Sequence, residues 1–301
     1  MIEAGWLWAA FTLIAAAAQT VRNAMQRELT ATLGTVGATH VRFLFGFPFA
    51  LVFLAAVLVA TGRPLPQPGA AYWPWLLQGA LAQVFATALM LAAMGERSFV
   101  VAYALIKTEP VLVAIFGLIF LGDALTLPVA AAVIIATAGV LAMSVAPGTG
   151  ALAGSRPMLI GIASGAMFAL SAVGYRGAIL SLENSSFVLA ATFTLALGLV
   201  LQAAVLSLYL AMRDPAVLRA IMRAWRPSLA TGFLGALASQ FWFLAFALAT
   251  AASVRTLGLI EVLFAQLISS FVFGQRTTAR EAFGIVLVVT GVVLLLWATA
   301  S

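Results

Sequence analysis

Leu105-Ile106-Lys107-Thr108-Glu109-Pro110-Val111-Leu112 aligns with Leu257-Gly258-Leu259-Ile260-Glu261-Val262-Leu263-Phe264, two apolar stretches that each carry one glutamate, 152 residues apart. The register extends well beyond them. Gly122, Thr126, Gly139 and Val140 recur as Gly274, Thr278, Gly291 and Val292 at the same spacing. Upstream, Gly79-Ala80-Leu81-Ala82 matches Gly235-Ala236-Leu237-Ala238 at a spacing of 156, and the four residues Gly95-Glu96-Arg97-Ser98 account for the difference. A repeat about half the chain long, with a carboxylate inside an apolar run in each copy, is the sequence mark of a two-fold membrane transporter.

Composition supports the membrane reading. The chain is 64% hydrophobic and 8% charged, whereas a soluble domain is roughly a quarter charged. A net charge of +6 invites a nucleic-acid reading. The basic residues are arginines scattered between apolar runs, apart from Lys107, with no pattern suited to a groove. Cysteine is absent, which excludes disulfides, thiolate metal sites and a cysteine nucleophile. The first apolar run follows Glu3 rather than a basic segment, so it reads as a transmembrane helix and not as a cleavable leader.

A helix crossing the bilayer needs about 20 apolar residues. Ten such runs are expected, over 6–25, 34–60, 73–94, 100–121, 127–145, 158–180, 186–210, 228–249, 253–273 and 282–300. The fold class is therefore an all-α polytopic membrane protein: ten transmembrane helices as two inverted five-helix repeats around a central cavity. Residues 1–145 form the first repeat, 146–156 a Gly/Ala/Ser-rich linker and 157–301 the second. An odd number of helices per half makes the second copy enter from the opposite side, the arrangement that places two half-sites about a midplane cavity. Trp6, Trp8, Tyr72, Trp73, Trp75, Trp225 and Trp297 lie near span ends, as interfacial rings do. The arginine-rich loops share one side, which the positive-inside rule assigns to the cytoplasm, leaving both termini outside.

Polar residues within spans are functional candidates because burying a charge at a helix centre costs about 2.5–3.5 kcal/mol on insertion scales. Span four carries Tyr103, Lys107, Glu109 and Pro110. Lys107 and Glu109 diverge by about 200° on a helix, so their partners must come from other helices. Pro110 removes a backbone donor, leaves the Ile106 carbonyl free and marks a hinge. Span nine carries Arg255 and Glu261, with Val262 where the first copy has proline, which predicts an asymmetric hinge. Glu109 and Glu261 admit three roles: ion-pair partners of Arg42 or Arg255, proton carriers, or substrate ligands. Lys107 suits either a structural ion pair or a substrate carboxylate. The amides Gln19, Asn23, Gln78, Gln83, Gln202, Gln240 and Gln266 suit a zwitterion or simple interhelical bonding. Tyr175 and Trp242 lie away from the interfaces and suit an aromatic wall.

Enzyme readings find little support. The only histidine, His40, lies near a span end, and no Walker, zincin or nucleophile-elbow pattern occurs. No metal or other cofactor is expected.

The chain resembles a known family at these residues. Arg42-Phe43-Leu44, Tyr103, Glu109-Pro110, Leu121-Gly122-Asp123 with Leu125-Thr126, and Gly139-Val140-Leu141 resemble the EamA repeat of the drug/metabolite transporter superfamily. A weaker second copy runs through Glu261, Gly274, Thr278 and Gly291-Val292. Residues 39–47 and 96–110 are most similar to YddG-type aromatic amino-acid exporters. Asp123 and Gln275 depart from the glutamate frequent after the glycine, and Val262 departs from proline. The resemblance implies a bacterial inner-membrane exporter, monomeric in the lipid bilayer, moving amino acids and similar small metabolites by alternating access, with protons as a candidate coupling ion. Its expected substrate contacts are Gln19, Asn23, Gln78, Tyr103, Lys107, Tyr175, Gln240 and Trp242. A proton-coupled exporter of lipophilic cations, and a non-transporting scaffold or receptor, are the competing readings.

Overall fold

The computed structural model describes residues 6–94, 104–144, 155–182, 185–273 and 278–300. Among these the regular structure is helical. The helices are α1 (Leu7–Leu44), α2 (Phe47–Thr61), α3 (Tyr72–Met94), α4 (Glu109–Phe116, continued by a π turn over Gly117–Leu121), α5 (Leu127–Ser144), α6 (Ser155–Leu180), α7 (Phe187–Arg213), α8 (Pro215–Arg223), α9 (Trp225–Leu248), α10 (Ala251–Gly258), α11 (Ile260–Phe273) and α12 (Ala279–Ala300). Among the described residues, eight helical stretches are long and apolar enough to cross a membrane, taking Leu7–Thr61 as one. This is a multi-pass membrane protein.

That first stretch does not run straight. Gly34 sits at φ 67°, ψ 175° in the middle of α1, a conformation that residues with a Cβ rarely adopt. The Gln26 amide donates to the Ala38 carbonyl at 2.8 Å. In a continuous helix twelve residues would separate them by about 18 Å, so the chain doubles back at Gly34. The expected end of span one at Met25 is therefore too early, because helix continues to the bend. The loop expected after span seven also holds more order than its prolines suggest. Pro215 opens α8, where its missing N–H does no harm.

Both copies of the central stretch are broken at equivalent places. Before α4 the Lys107 amide donates to the Ala104 carbonyl at 3.1 Å, and between α10 and α11 the Leu259 amide donates to Thr256 at 3.1 Å. These are short-turn bonds at the repeat spacing. Each leaves a glutamate, Glu109 or Glu261, in the first turn of the helix that follows, where the positive end of the helix dipole favours a carboxylate. Both copies are thus interrupted, although only the first carries a proline. Pro110 starts α4 in the first copy, and in the second Gly258 lets the Trp242 indole press on the backbone, since a Cβ there would lie 2.5 Å from the ring. The carbonyl freed by Pro110 is not exposed either. Ile106 O packs toward Gly165 of α6, with only 3.2 Å left for a Cβ.

Close backbone approach holds the helices together. Gly79 of α3 faces Gly174 of α6, Gly235 of α9 faces Arg42 of α1, and Gly139 of α5 faces Gly284 of α12. Thr278 and Glu281 form a reciprocal cap at the start of α12, with bonds of 2.7 and 3.2 Å. The expected interfacial rings divide: Trp6, Trp73, Trp225 and Trp297 are exposed, whereas Trp8 and Tyr72 are buried. Ser155 and Arg156, expected at the end of the linker, begin α6. Linker residues 146–154 and the inserted residues 95–98 lie outside the described residues.

A Cβ at Gly284 would overlap the Gly139 carbonyl and Met143. Gly284→Val should therefore lower stability by about 1–3 kcal/mol through overpacking. Gly69→Val, in open space, should be close to neutral. Thermal melting of the two variants in detergent measures the difference.

Candidate functional site

The breaks in the two copies bring the ionisable residues of both halves together. Lys107, in the turn before α4, forms an ion pair with Glu261 at the start of α11. Glu109, in the first turn of α4, has its Oε1 2.6 Å from Nε of Arg255 on α10. Each copy supplies a cation to the carboxylate of the other, and Lys107 also attracts Glu109 within its own copy. The divergence of Lys107 and Glu109 in sequence is thereby resolved by a crossed exchange between copies. Two neutral groups complete the network. The Gln19 amide of α1 donates to Glu261 Oε2 at 2.9 Å, and Trp242 Nε1 of α9 donates to Gln19 Oε1 at 3.0 Å. The Arg255 guanidinium lies 4.7 Å from the centroid of the Trp242 ring, a cation–π contact.

Two small cavities flank Trp242. One is bounded by Gln19, Lys107, Glu109, Pro110, Gly258 and Glu261, the other by Arg42, Gln83, Tyr175, Ser239, Phe243 and Phe246, and Gln19, Trp242 and Arg255 belong to both. Each encloses about 20 Å³. That is near the size needed for a single water and far below the usual 300–1,000 Å³ of a ligand pocket. A solute enters this region only when the helices part. The larger hollows, about 580 Å³ between α1, α8 and α9 and about 410 Å³ beside Arg63 and Ser185, hold none of the crossed ion pairs.

The expected site residues separate into groups. Gln19, Lys107, Tyr175 and Trp242 meet at the cavities, with Glu109, Pro110, Arg255 and Glu261. Gln78 instead donates to the Leu170 carbonyl at 3.3 Å, Gln240 to the Thr192 hydroxyl at 2.8 Å, and Asn23 accepts from Arg22 at 2.6 Å. Gln78 and Gln240 thus bind helices together away from the cavities, whereas Asn23 engages its own neighbour on α1. Tyr103 lies outside the described residues. Arg42 does not pair with either glutamate; it donates to the hydroxyls of Thr87 at 3.2 Å and Ser239 at 3.3 Å.

The structure adds Gln83, Ser171 and Ser239 to the polar lining. Gln83 is separated from Gln78 by about 140° around α3, and Ser239 from Gln240 by about 100° around α9. Helical phase puts the two members of each pair on different faces, but hydropathy does not reveal which face is inward. Arg176 ties three elements at one end of the bundle. It contacts Asp123 Oδ1 at 3.2 Å and donates to the Phe246 and Ala249 carbonyls at the C-terminus of α9, where a cation is favoured. Among the described residues no group of three or more potential metal ligands comes together.

Removing one member of a buried ion pair strands the other. Lys107→Met and Glu261→Gln should each destabilise the protein by about 3–5 kcal/mol, and the double variant by clearly less than the sum. Melting of the four proteins in detergent reads this coupling; additive losses would mean the two groups do not share one interaction.

Comparisons with known proteins bear on the first half of the chain and on the fold. Residues 5–145 match the profile of the EamA-like transporter family, within the drug/metabolite transporter superfamily. No curated protein matches the chain. Among solved structures 27 chains match. One, described only as "Crystal structure of protein", superposes with a TM-score of 0.68 over 97% of this chain and 95% of its own, at 17% identity. At that identity the likeness speaks for the fold alone. Over residues 5–145, this membrane protein is similar to a family of transporters, and the similarity points to moving small substrates rather than to catalysis.

Proposed function

We propose that the protein is a bacterial inner-membrane exporter of aromatic and other neutral amino acids and related small metabolites, working as a monomer by alternating access. In this reading the chain crosses the bilayer ten times, as two inverted five-helix halves. The bend at Gly34 divides the first long stretch into two crossings, and α10 with α11 forms a broken one. The helix packing supports a two-fold relation. Exchanging the halves turns the α3–α6 pair into the α9–α1 pair and leaves α5–α12 paired with itself, and these are the closest-packed pairs in the bundle.

The observation that carries the reading is the crossed pair of ion bridges at two broken helices. Discontinuous helices with charged ends at a repeat interface are the usual substrate machinery of secondary transporters. Ion pairs that join one copy to the other can break and re-form with new partners as the halves rock, so closure is reversible. The paired carboxylates also argue against a lipophilic-cation exporter. Glu109 and Glu261 each already hold a cation, so in this arrangement a cationic solute would have to displace Lys107 or Arg255. Whether protons accompany the substrate turns on those same two carboxylates.

Purified protein in liposomes should release labelled phenylalanine faster than empty liposomes do, and Glu109→Gln should slow that release at least tenfold. Comparing flux with and without an imposed pH gradient separates facilitated export from proton exchange. Absence of flux for every amino acid tried would rule out the exporter reading.

A further inference from the structure

The charges around the cavities do not balance. Among Gln19, Arg42, Lys107, Glu109, Arg255 and Glu261 there are three cations and two carboxylates, and both carboxylates are engaged by Lys107 and Arg255. Arg42 is the cation left over. It is 3% exposed, and among the described residues no carboxylate pairs with it. Its partners are two hydroxyls, Thr87 and Ser239, and the Phe43 ring, whose centroid lies 5.3 Å from the guanidinium carbon. Thr87 spends its own proton on the Gln83 carbonyl at 2.8 Å, so it can only accept from the guanidinium. Nε of Arg42 has no partner among the described residues. The charged groups that act on it most strongly include the guanidinium groups of Arg22 and Arg255, of like sign. A buried cation surrounded by cations and hydroxyls is expensive unless an anion joins it.

Arg42 borders the second cavity, where five rings, Phe168, Tyr175, Trp242, Phe243 and Phe246, share the wall with the polar Gln19, Gln83, Ser171 and Ser239 and with Arg255. The Tyr175 and Phe243 rings are tilted at 45°, with centroids 4.4 Å apart. The Tyr175 hydroxyl and the Gln202 amide both donate to Gln83 Oε1, at 3.3 and 2.9 Å. Among the described residues no carboxylate borders this cavity.

We propose that Arg42 is the receptor for the substrate's carboxylate, and that the aromatic cavity beside it selects an organic monocarboxylate with an apolar or aromatic body, without requiring an ammonium group. A guanidinium fork matches a carboxylate in two parallel hydrogen bonds, replacing the weaker bonds to Thr87 and Ser239. The rings supply a flat wall for the body of the solute. With no acid at the cavity to receive an ammonium, the amine of an amino acid is tolerated rather than read. At about 20 Å³ the cavity admits such a solute only after the rings separate. This inference rests on the transporter reading for its direction of movement, but not for its binding chemistry.

Two readouts keep the inference and the transporter reading apart: thermal shift of the full-length protein in detergent, and counterflow of labelled phenylalanine in liposomes. The probes are phenylalanine, 3-phenyllactate, which keeps the carboxylate and loses the amine, and phenethylamine, which does the reverse. The expected result is a thermal shift from 3-phenyllactate comparable to that from phenylalanine, with phenethylamine at least tenfold weaker. Arg42→Gln should weaken 3-phenyllactate about tenfold or more, the loss expected for a charge-assisted bond, and Arg42→Lys should restore part of it. Binding of 3-phenyllactate without phenylalanine counterflow supports this inference and counts against the amino-acid exporter. Phenethylamine binding in preference to 3-phenyllactate overturns the inference while leaving a transporter intact. A folded Arg42→Gln that binds 3-phenyllactate like the parent also overturns it. The order of the three probes on the unaltered protein decides the matter even if the variant fails to fold, and no response to any probe contradicts both.

Discussion

Charge cannot be left unpaired in a hydrocarbon layer, and the centre of this protein is organised around that constraint. Two glutamates, a lysine and an arginine from the two sequence copies form ion pairs that cross from copy to copy. For that to happen each helix must stop and restart beside its glutamate, so that the carboxylate faces the other copy from the first turn of a new helix. The helix breaks, the packing of Trp242 on Gly258 and the position of Gln19 between Trp242 and Glu261 all follow from the same arrangement. Close glycine contacts farther out hold the helices at the separation the ion pairs need.

The repeat at Glu109 and Glu261, and the argument that Lys107 cannot meet Glu109 on one helix, were legible from residue type and spacing alone. A charge in an apolar run is conspicuous, and so is its recurrence. The choice among the uncharged polar residues was not legible. In a soluble helix the polar stripe fixes which face is buried. In a bilayer both faces are apolar: Leu77, Leu81 and Phe85 of α3 are lipid-facing, while Leu76 and Ala80 are core. Hydropathy therefore does not reveal the phase, and Gln78 could not be told from Gln83, nor Gln240 from Ser239.

Pro110 misled in an instructive way. A proline present in one copy and missing from the other implied that only one helix was broken. Yet a helix in a crowded bundle can also be interrupted where a glycine allows a large ring to press on its backbone, and Gly258 under Trp242 does this in the second copy. That cause is tertiary, so no window of local sequence contains it. The same applies to Arg42, which sequence offered as a glutamate partner. Its surplus charge became visible only once the glutamates' actual partners had been identified.

The central claim is that the crossed ion pairs close a movable junction between the two copies. The chain has no cysteine, so Ile115→Cys on α4 and Leu267→Cys on α11, both exposed on the outside of the bundle, would carry the only two spin labels in the molecule. Pulsed electron resonance in lipid then reads the distance between the helices that the pairs join. The account predicts a distance distribution that splits or shifts when transported solute is added, and that Glu261→Gln broadens without solute. A single narrow distance, indifferent to both solute and substitution, would contradict it.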